Sequence, residues 1–129
     1  MIVVNSKYTK KEKWIATERG EIQIGGSEQE FLPYELLLGA LSSCFYYTLR
    51  DILAKKKIEV DAIEIRIEGN KRTERPETLE KAVIYITYVG DISEKDAERS
   101  AFLAGKYCSI HHTLSQVAEF TNIITIKEK

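Results

Sequence analysis

The sequence has few residues of the kinds that cross-link a chain or give it a strong charge. It contains two cysteines in 129 residues, fewer than the disulfide framework of a small secreted domain requires. Its 19 basic and 20 acidic residues leave a net charge of −1. This balance excludes the strong positive field that recruits nucleic acid or an acidic membrane, so neither partner is expected.

Long hydrophobic runs are also missing. The most apolar stretch, residues 36–49, is interrupted by Gly39, Ser42 and Ser43 and falls short of the roughly 20 residues of a spanning helix. The apolar run at Met1–Val4 is too short for a signal peptide. The sequence therefore predicts a cytoplasmic protein, in which two cysteines are more often free thiols than a structural disulfide.

Several familiar catalytic motifs are absent. There is no glycine-rich phosphate loop, no CxxC, no HExxH and no GxSxG. Cys108, His111 and His112 are residue types that ligate metals, but the sequence offers no evident third or fourth ligand beside the cysteine and a histidine. We therefore predict neither a metal nor a cofactor, and the two thiols remain as the candidate chemical groups.

The chain length suits a single domain covering residues 1–129. The first part, residues 2–26, has the pattern of short strands, with a tight turn at residues 18–20 in which Gly20 takes a positive φ. Pro33 marks the start of a helix that continues to about Lys55.

Strand patterns return in the second half of the chain. Alternating isoleucines over residues 63–67 predict a half-buried strand, and the β-branched run at residues 83–89 predicts its partner. Residues 123–126 close the chain as an edge strand. Together with the helices, this order of elements predicts an α+β fold.

Two further helices are predicted from their caps. Ser93, with Asp96 three residues later, has the spacing of a helix N-terminus, and Gly105 is expected to end that helix. Ser109 is expected to cap a short last helix.

The helix over residues 34–55 is apolar on most of its circumference. One stripe contains Leu37, Leu41, Cys44 and Thr48, and a second apolar stripe lies beside it. A helix of this kind must be covered on most sides, and a chain this small has little to cover it. We therefore expect a homodimer.

The local contexts of the two cysteines differ. Cys44 lies in the middle of the apolar helix, where a free cysteine commonly packs as a small hydrophobe. A lowered pKa there would require a cation from elsewhere, such as Arg19. Cys108 precedes the last helix, whose unpaired N–H groups favour a thiolate. The alternative for Cys108 is simple packing beneath Tyr107.

Two segments resemble the cysteine signatures of the OsmC/Ohr family, the osmotically induced and organic-hydroperoxide-resistance proteins. Residues 33–44, PYELLLGALSSC, resemble the first signature, and residues 106–109, KYCS, resemble the second at the usual separation. The resemblance is closer to the OsmC-like branch. It implies antiparallel sheets packed on two central helices, and an intertwined homodimer with active sites at the interface.

The same resemblance implies roles for individual residues. In the family, the first cysteine attacks a hydroperoxide and becomes a sulfenic acid, and the second resolves it as a disulfide that an external thiol or dithiol reduces. Cys44 would be peroxidatic, Cys108 resolving, and Arg19 the family's arginine. The family's glutamate follows the signature proline, where this chain has Tyr34 and places Glu35 one residue later.

Glu35 cannot reach the thiol of its own helix. It lies nine residues before Cys44, which places it about 180° around a helix and ~13 Å along it. Its simpler role is a carboxylate favourable to the helix N-terminus. It stays a candidate site residue because a subunit interface could bring it to another chain's thiol.

Three functions remain open from the sequence. The first is a thiol-dependent peroxidase acting on organic hydroperoxides in oxidative-stress defence. The second is a non-catalytic protein that senses redox state or binds an apolar small molecule at the dimer interface, in a pocket lined by Leu37, Leu41 and Phe45. The third is a structural module with inert thiols.

Overall fold

Three helices and seven strands follow one another in the α+β arrangement that the sequence predicts. The computed structural model describes every residue from Met1 to Lys129. In chain order the elements are β1 (Asn5–Tyr8), β2 (Lys13–Thr17), β3 (Gly20–Ile24), β4 (Glu30–Phe31), α1 (Pro33–Lys55), β5 (Ala62–Lys71), β6 (Leu79–Val89), α2 (Glu94–Tyr107), α3 (Ser109–Ser115) and β7 (Glu119–Lys127). The chain divides into two compact units, Met1–Gly39 and Ala40–Lys129.

The first unit is built on a four-stranded sheet with the order β1-β2-β3-β4. The predicted turn between β2 and β3 is confirmed, and Gly20 has a φ of +154°. The polar segment between β3 and Pro33 contains the two-residue strand β4, for which the sequence has no strand pattern. The carboxylate of Glu30 accepts a hydrogen bond from the Ser27 N–H at 3.0 Å, and β4 pairs in parallel with β3.

Helix α1 begins at Pro33, as predicted, because the fixed φ of proline suits the first turn. Its buried residues are Leu41, Phe45, Leu49 and Leu53, spaced four apart along one stripe. None of the three helices has both the length and the apolarity needed to cross a bilayer.

The second unit contains a three-stranded sheet with the order β5-β6-β7. Strands β5 and β6 pair antiparallel, whereas β7 runs parallel to β6. The expectation of antiparallel sheets is therefore confirmed for β1-β2-β3 and β5-β6 and wrong for one pairing in each sheet, β3-β4 and β6-β7. The chain passes through α2 and α3 between β6 and β7, and such a crossover returns the next strand in the same direction. The edge position predicted for the last strand is confirmed.

A buried tyrosine joins the central strand of this sheet to α2. The hydroxyl of Tyr88 donates to the Ala97 carbonyl at 2.8 Å and lies 2.9 Å from the Ser100 hydroxyl. Both Tyr88 and Ser100 are fully buried. The hydrogen bonds satisfy polar groups that would otherwise be costly to bury.

The junction between α2 and α3 differs from the prediction. Ser93 caps α2 as expected, and its hydroxyl accepts from the Asp96 N–H at 3.0 Å. Gly105 does not end α2, which continues to Tyr107. The glycine instead permits a close approach, because an added Cβ would lie 3.3 Å from Nε2 of His111.

Ser109 is likewise not a cap but the first residue of α3. Cys108 stands alone between the two helices and is both the C-cap of α2 and the N-cap of α3.

Arg72 ties the connection between β5 and β6 to the chain that follows α3. Its guanidinium donates to the Thr78 hydroxyl at 2.9 Å, to the Leu79 carbonyl at 2.6 Å and to the Val117 carbonyl at 2.9 Å. These three hydrogen bonds hold the C-terminal side of α3 against the sheet, and so restrain the element whose other end carries Cys108.

Candidate functional site

The two cysteines lie beside each other although 63 residues separate them in the sequence. Both are free thiols. Sγ of Cys44 lies 3.8 Å from Oγ of Ser109, and the Cys108 thiol is a side-chain hydrogen-bond partner of Cys44. Helix α1 supplies the first sulfur, and the α2–α3 junction supplies the second.

The α2–α3 junction fixes the position of Cys108. The residue has an extended backbone, with φ −74° and ψ 118°, between two helical segments. Its Sγ accepts the backbone N–H of His111 at 3.4 Å, in the way that an N-cap side chain does. The residue is 0% exposed, so solvent does not reach the sulfur.

The pKa of Cys44 is lowered below the ordinary value near 9. Burial raises this pKa, but hydrogen bonds to the sulfur outweigh burial. The donors are the Ile110 backbone N–H, the Cys108 thiol, and the hydroxyl and backbone N–H of Ser109. The expectation that only a cation could lower this pKa is therefore wrong, because the start of α3 provides uncharged donors instead.

The pKa of Cys108 moves in the opposite direction. It is raised to about 11, with burial as the largest cause and the neighbouring Cys44 as a further one. The N–H groups of His111 and Ile110 lower it, but by less. The prediction that the helix terminus favours a Cys108 thiolate is wrong because desolvation outweighs the two backbone donors. As pH rises, Cys44 ionises while Cys108 still carries its proton.

His111 lies in the first turn of α3, three residues after Cys108. Its ring packs on Phe120 with centroids 4.5 Å apart, and burial lowers its pKa. It is therefore predominantly neutral at pH 7 and acts on the thiol pair through its backbone N–H. No group of three or more histidine, cysteine, aspartate or glutamate side chains is placed to hold a metal ion.

The other two predicted site residues belong to the unit Met1–Gly39. Arg19 lies in the turn between β2 and β3, is 81% exposed at its side chain, and pairs with Glu18 at 3.3 Å. Glu35 accepts the Leu32 N–H at 2.7 Å, which is the role at the start of α1 that the sequence suggested. A role for either residue beside a thiol stays a prediction.

Sequence reasoning missed Ser109 and Ile110 as partners of Cys44. The available signal is the position of Ser109 directly after Cys108, within the segment KYCS. The lining predicted for the apolar pocket of the non-catalytic function is also wrong. Leu41 and Phe45 are fully buried in the core and cannot form a pocket wall.

Comparison with known proteins supports the family resemblance of the two cysteine segments. The model of the OsmC-like protein family matches residues 25–121, a range that includes both thiols. The chain belongs to the OsmC-like protein family. The resemblance drawn from residues 33–44 and 106–109 is thereby confirmed. A search of the curated proteins finds no match.

Solved structures share the fold over the full chain. A hypothetical protein from Aquifex aeolicus VF5 superposes with a TM-score of 0.88 and 29% identity, covering 100% of this chain and 98% of that one. The OsmC-like protein from Mycoplasma pneumoniae has a TM-score of 0.88 and 16% identity, with coverage of 98% and 97%. The organic hydroperoxide resistance protein OhrB of Bacillus subtilis has a TM-score of 0.72 and 14% identity, with coverage of 100% and 98%.

Proposed function

We propose that this OsmC-like protein is a thiol-dependent peroxidase that reduces organic hydroperoxides in oxidative-stress defence. The observation that carries the proposal is the pair of adjacent free thiols whose pKa values are driven in opposite directions. A thiolate beside a protonated thiol is the arrangement needed to attack a peroxide and then close a disulfide. The name of the Bacillus subtilis protein, organic hydroperoxide resistance protein, supports the choice of substrate class.

The proposed cycle uses Cys44 first and Cys108 second. The Cys44 thiolate attacks the hydroperoxide, the O–O bond breaks, and Cys44 becomes a sulfenic acid. Cys108 then attacks the sulfenic sulfur to form a disulfide, and an external thiol or dithiol reduces that disulfide. The difference in exposure suits this order, because Cys44 is partly open whereas Cys108 is fully buried.

We include a cytoplasmic homodimer in the proposal. In the single chain, large apolar side chains of the first unit stay exposed, among them Phe31 and Leu32, and so does Tyr47 of α1. Large exposed apolar side chains of this kind are what a partner chain would cover at an interface. Within such a dimer, Arg19 and Glu35 are the candidates to approach a thiol of the partner subunit.

Single-turnover oxidation tests the function. The reduced protein is mixed rapidly with cumene hydroperoxide, and its mass and thiol content are followed with time. We expect loss of both thiols and a Cys44–Cys108 disulfide in the peptide map. The Cys44→Ser variant should not react, whereas Cys108→Ser should stop at an oxidised Cys44.

A Ser43→Ala variant is a matched control, because Ser43 adjoins Cys44 on α1 and is exposed. It should behave as the unmodified protein does. An unchanged thiol content in the unmodified protein would rule out the peroxidase.

A redox sensor is the second candidate, favoured by the presence of Tyr34 where the family's peroxidases have glutamate. A sensor should form the disulfide once without supporting repeated turnover. Steady-state consumption of cumene hydroperoxide with excess dithiothreitol separates the two, since only a peroxidase consumes many equivalents per chain.

A further inference from the structure

The proton of Cys108 is placed to take part in the reaction. The sulfur is shut off from solvent and accepts the His111 N–H at 3.4 Å, so one of its lone pairs is already engaged. Its own S–H then has Cys44 as its side-chain partner. With that lone pair engaged, the S–H of Cys108 can donate toward the Cys44 sulfur, where the hydroperoxide reacts.

Cleavage of a hydroperoxide creates a need for that proton. When a thiolate attacks the terminal oxygen, the other oxygen leaves as an alkoxide, a much stronger base than a thiolate. The hydrogen-bond partners of the Cys44 sulfur are two backbone N–H groups, the Ser109 hydroxyl and the Cys108 thiol. Among these, the thiol is the strongest acid, because amides and aliphatic hydroxyls do not titrate in the range of a cysteine.

We propose that Cys108 acts twice in each cycle, first as the general acid that protonates the leaving alkoxide and then as the nucleophile that resolves the sulfenic acid. This inference rests on the proposed peroxidase function and adds a role before the resolving step. Donation of the proton converts Cys108 into the thiolate that the resolving step requires.

The two steps balance in atoms and electrons. In the first, the Cys44 thiolate and ROOH form Cys44–SOH as the O–O bond breaks, and the Cys108 proton passes to the alkoxide to give ROH and a Cys108 thiolate. The Cys44 sulfur loses two electrons, and the peroxide gains them. In the second, the Cys108 thiolate attacks Cys44–SOH, the S–S bond forms, and hydroxide leaves.

Burial gives this order a physical basis. A Cys108 with a pKa of about 11 keeps its proton at neutral pH, so it is an acid at the start of each cycle and not a competing nucleophile. Its thiolate arises only when an alkoxide has taken the proton. Resolution is thereby coupled to cleavage of the O–O bond.

The test compares two oxidants that differ in their leaving groups. Cumene hydroperoxide releases an alkoxide, which needs a proton, whereas 3-chloroperoxybenzoic acid releases a carboxylate, which does not. Single-turnover oxidation of Cys44 is measured with both oxidants in the unmodified protein and in Cys108→Ala. The rate of alkylation by iodoacetamide corrects each value for the fraction of Cys44 thiolate.

We expect Cys108→Ala to slow corrected oxidation by cumene hydroperoxide by about tenfold to 100-fold, the lower part of the range for general acids. Oxidation by the peroxy acid should change by less than about twofold. Cys108→Ser keeps a cap at α3 and guards against misfolding. Its hydroxyl is a much weaker acid than the thiol, so it should show the same selective loss.

Ser109→Ala is the matched control, since it alters the surroundings of Cys44 but leaves the acid in place. It should slow the reactions of Cys44 with cumene hydroperoxide, 3-chloroperoxybenzoic acid and iodoacetamide by one common factor. If Cys108→Ala and Cys108→Ser are oxidised by cumene hydroperoxide as fast as the unmodified protein, the acid role is overturned and the peroxidase proposal stands. If the unmodified protein is not oxidised by cumene hydroperoxide, the proposed function itself fails.

Discussion

At the scale of single residues, the chemistry depends on the different surroundings of the two cysteines, which shift their pKa values in opposite directions. Cys44 receives several donors from the start of α3, whereas Cys108 receives only the backbone N–H groups of His111 and Ile110 and is buried more deeply. Hydrogen bonds stabilise the thiolate of the first, and desolvation destabilises that of the second. Neither effect requires a charged side chain.

This difference predicts the pH dependence of labelling in the reduced protein. The pKa of Cys44 is below 9 and that of Cys108 is about 11, so at pH 8 Cys44 carries the larger thiolate fraction. Since the thiolate is the nucleophile, brief treatment with iodoacetamide should modify Cys44 first, with Cys108 following only at alkaline pH. Peptide mapping by mass spectrometry measures both. Preferential modification of Cys108 at pH 8 would contradict the assignment.

The Ser109 hydroxyl gives a second prediction at this scale. Its oxygen lies 3.8 Å from the Cys44 sulfur and can donate to the thiolate. Ser109→Ala should raise the pKa of Cys44 and slow its alkylation at neutral pH by about twofold to fivefold, since a long hydrogen bond to sulfur contributes less than a typical charged one.

Ser115→Ala is the appropriate comparison for this change. Ser115 lies on the same helix, but its hydroxyl donates to the His112 carbonyl at 2.8 Å and does not contact a thiol. Equal rates for both variants would show that the Ser109 hydroxyl has no effect on Cys44.

At the scale of elements, the position of α3 matters most, because this short helix brings Cys108, Ser109 and Ile110 to the middle of α1. A seven-residue helix has little stability of its own. It is held at one end by the cap at Cys108 and near the other by Arg72, which binds the Val117 carbonyl.

Arg72→Ala should therefore destabilise the protein. It removes hydrogen bonds to Thr78, Leu79 and Val117, and it leaves partly buried acceptors without a donor. The expected loss in free energy of unfolding is about 1–3 kcal/mol. Urea denaturation followed by circular dichroism measures it. Arg75→Ala, an exposed change in the same connection, should cost less than about 0.5 kcal/mol; equal losses would contradict the role of Arg72.

At the scale of the whole molecule, the two units differ in how well a single chain covers them. The sheet β5-β6-β7 has a buried central strand, with Leu79, Ala82, Ile84, Ile86 and Tyr88 in its core. The first unit, by contrast, has no buried residue, and its sheet leaves Tyr8, Ile22 and Phe31 exposed. The proposed homodimer accounts for this difference, because a partner chain would cover the apolar residues of the first unit.

Sedimentation velocity tests the assembly. We expect a species of twice the chain mass of 14.8 kDa. Phe31→Asp places a charge on an exposed apolar position and should shift the protein toward the single-chain mass. Glu28→Arg alters charge in the neighbouring exposed loop and should leave the mass unchanged. A single-chain mass for the unmodified protein would exclude the dimer.

Much of the local structure follows from the sequence alone, for a physical reason. Pro33 starts a helix, Ser93 caps one, and the alternating isoleucines of residues 63–67 form a strand, because these features depend on neighbours a few residues away. The family, too, could be identified from two short segments around the cysteines. Local chemistry and spacing were enough for each of these conclusions.

Only the tertiary structure decided the hydrogen bonding and the burial of the two thiols. The donors of Cys44 come from residues more than 60 positions away, and the burial of Cys108 depends on how α2, α3 and the sheet pack together. The sequence therefore singled out the two cysteines, but its expectations of what would shift each pKa were wrong. Desolvation and long-range hydrogen bonds set those values, and both are properties of the packed molecule, not of the segments that carry the cysteines.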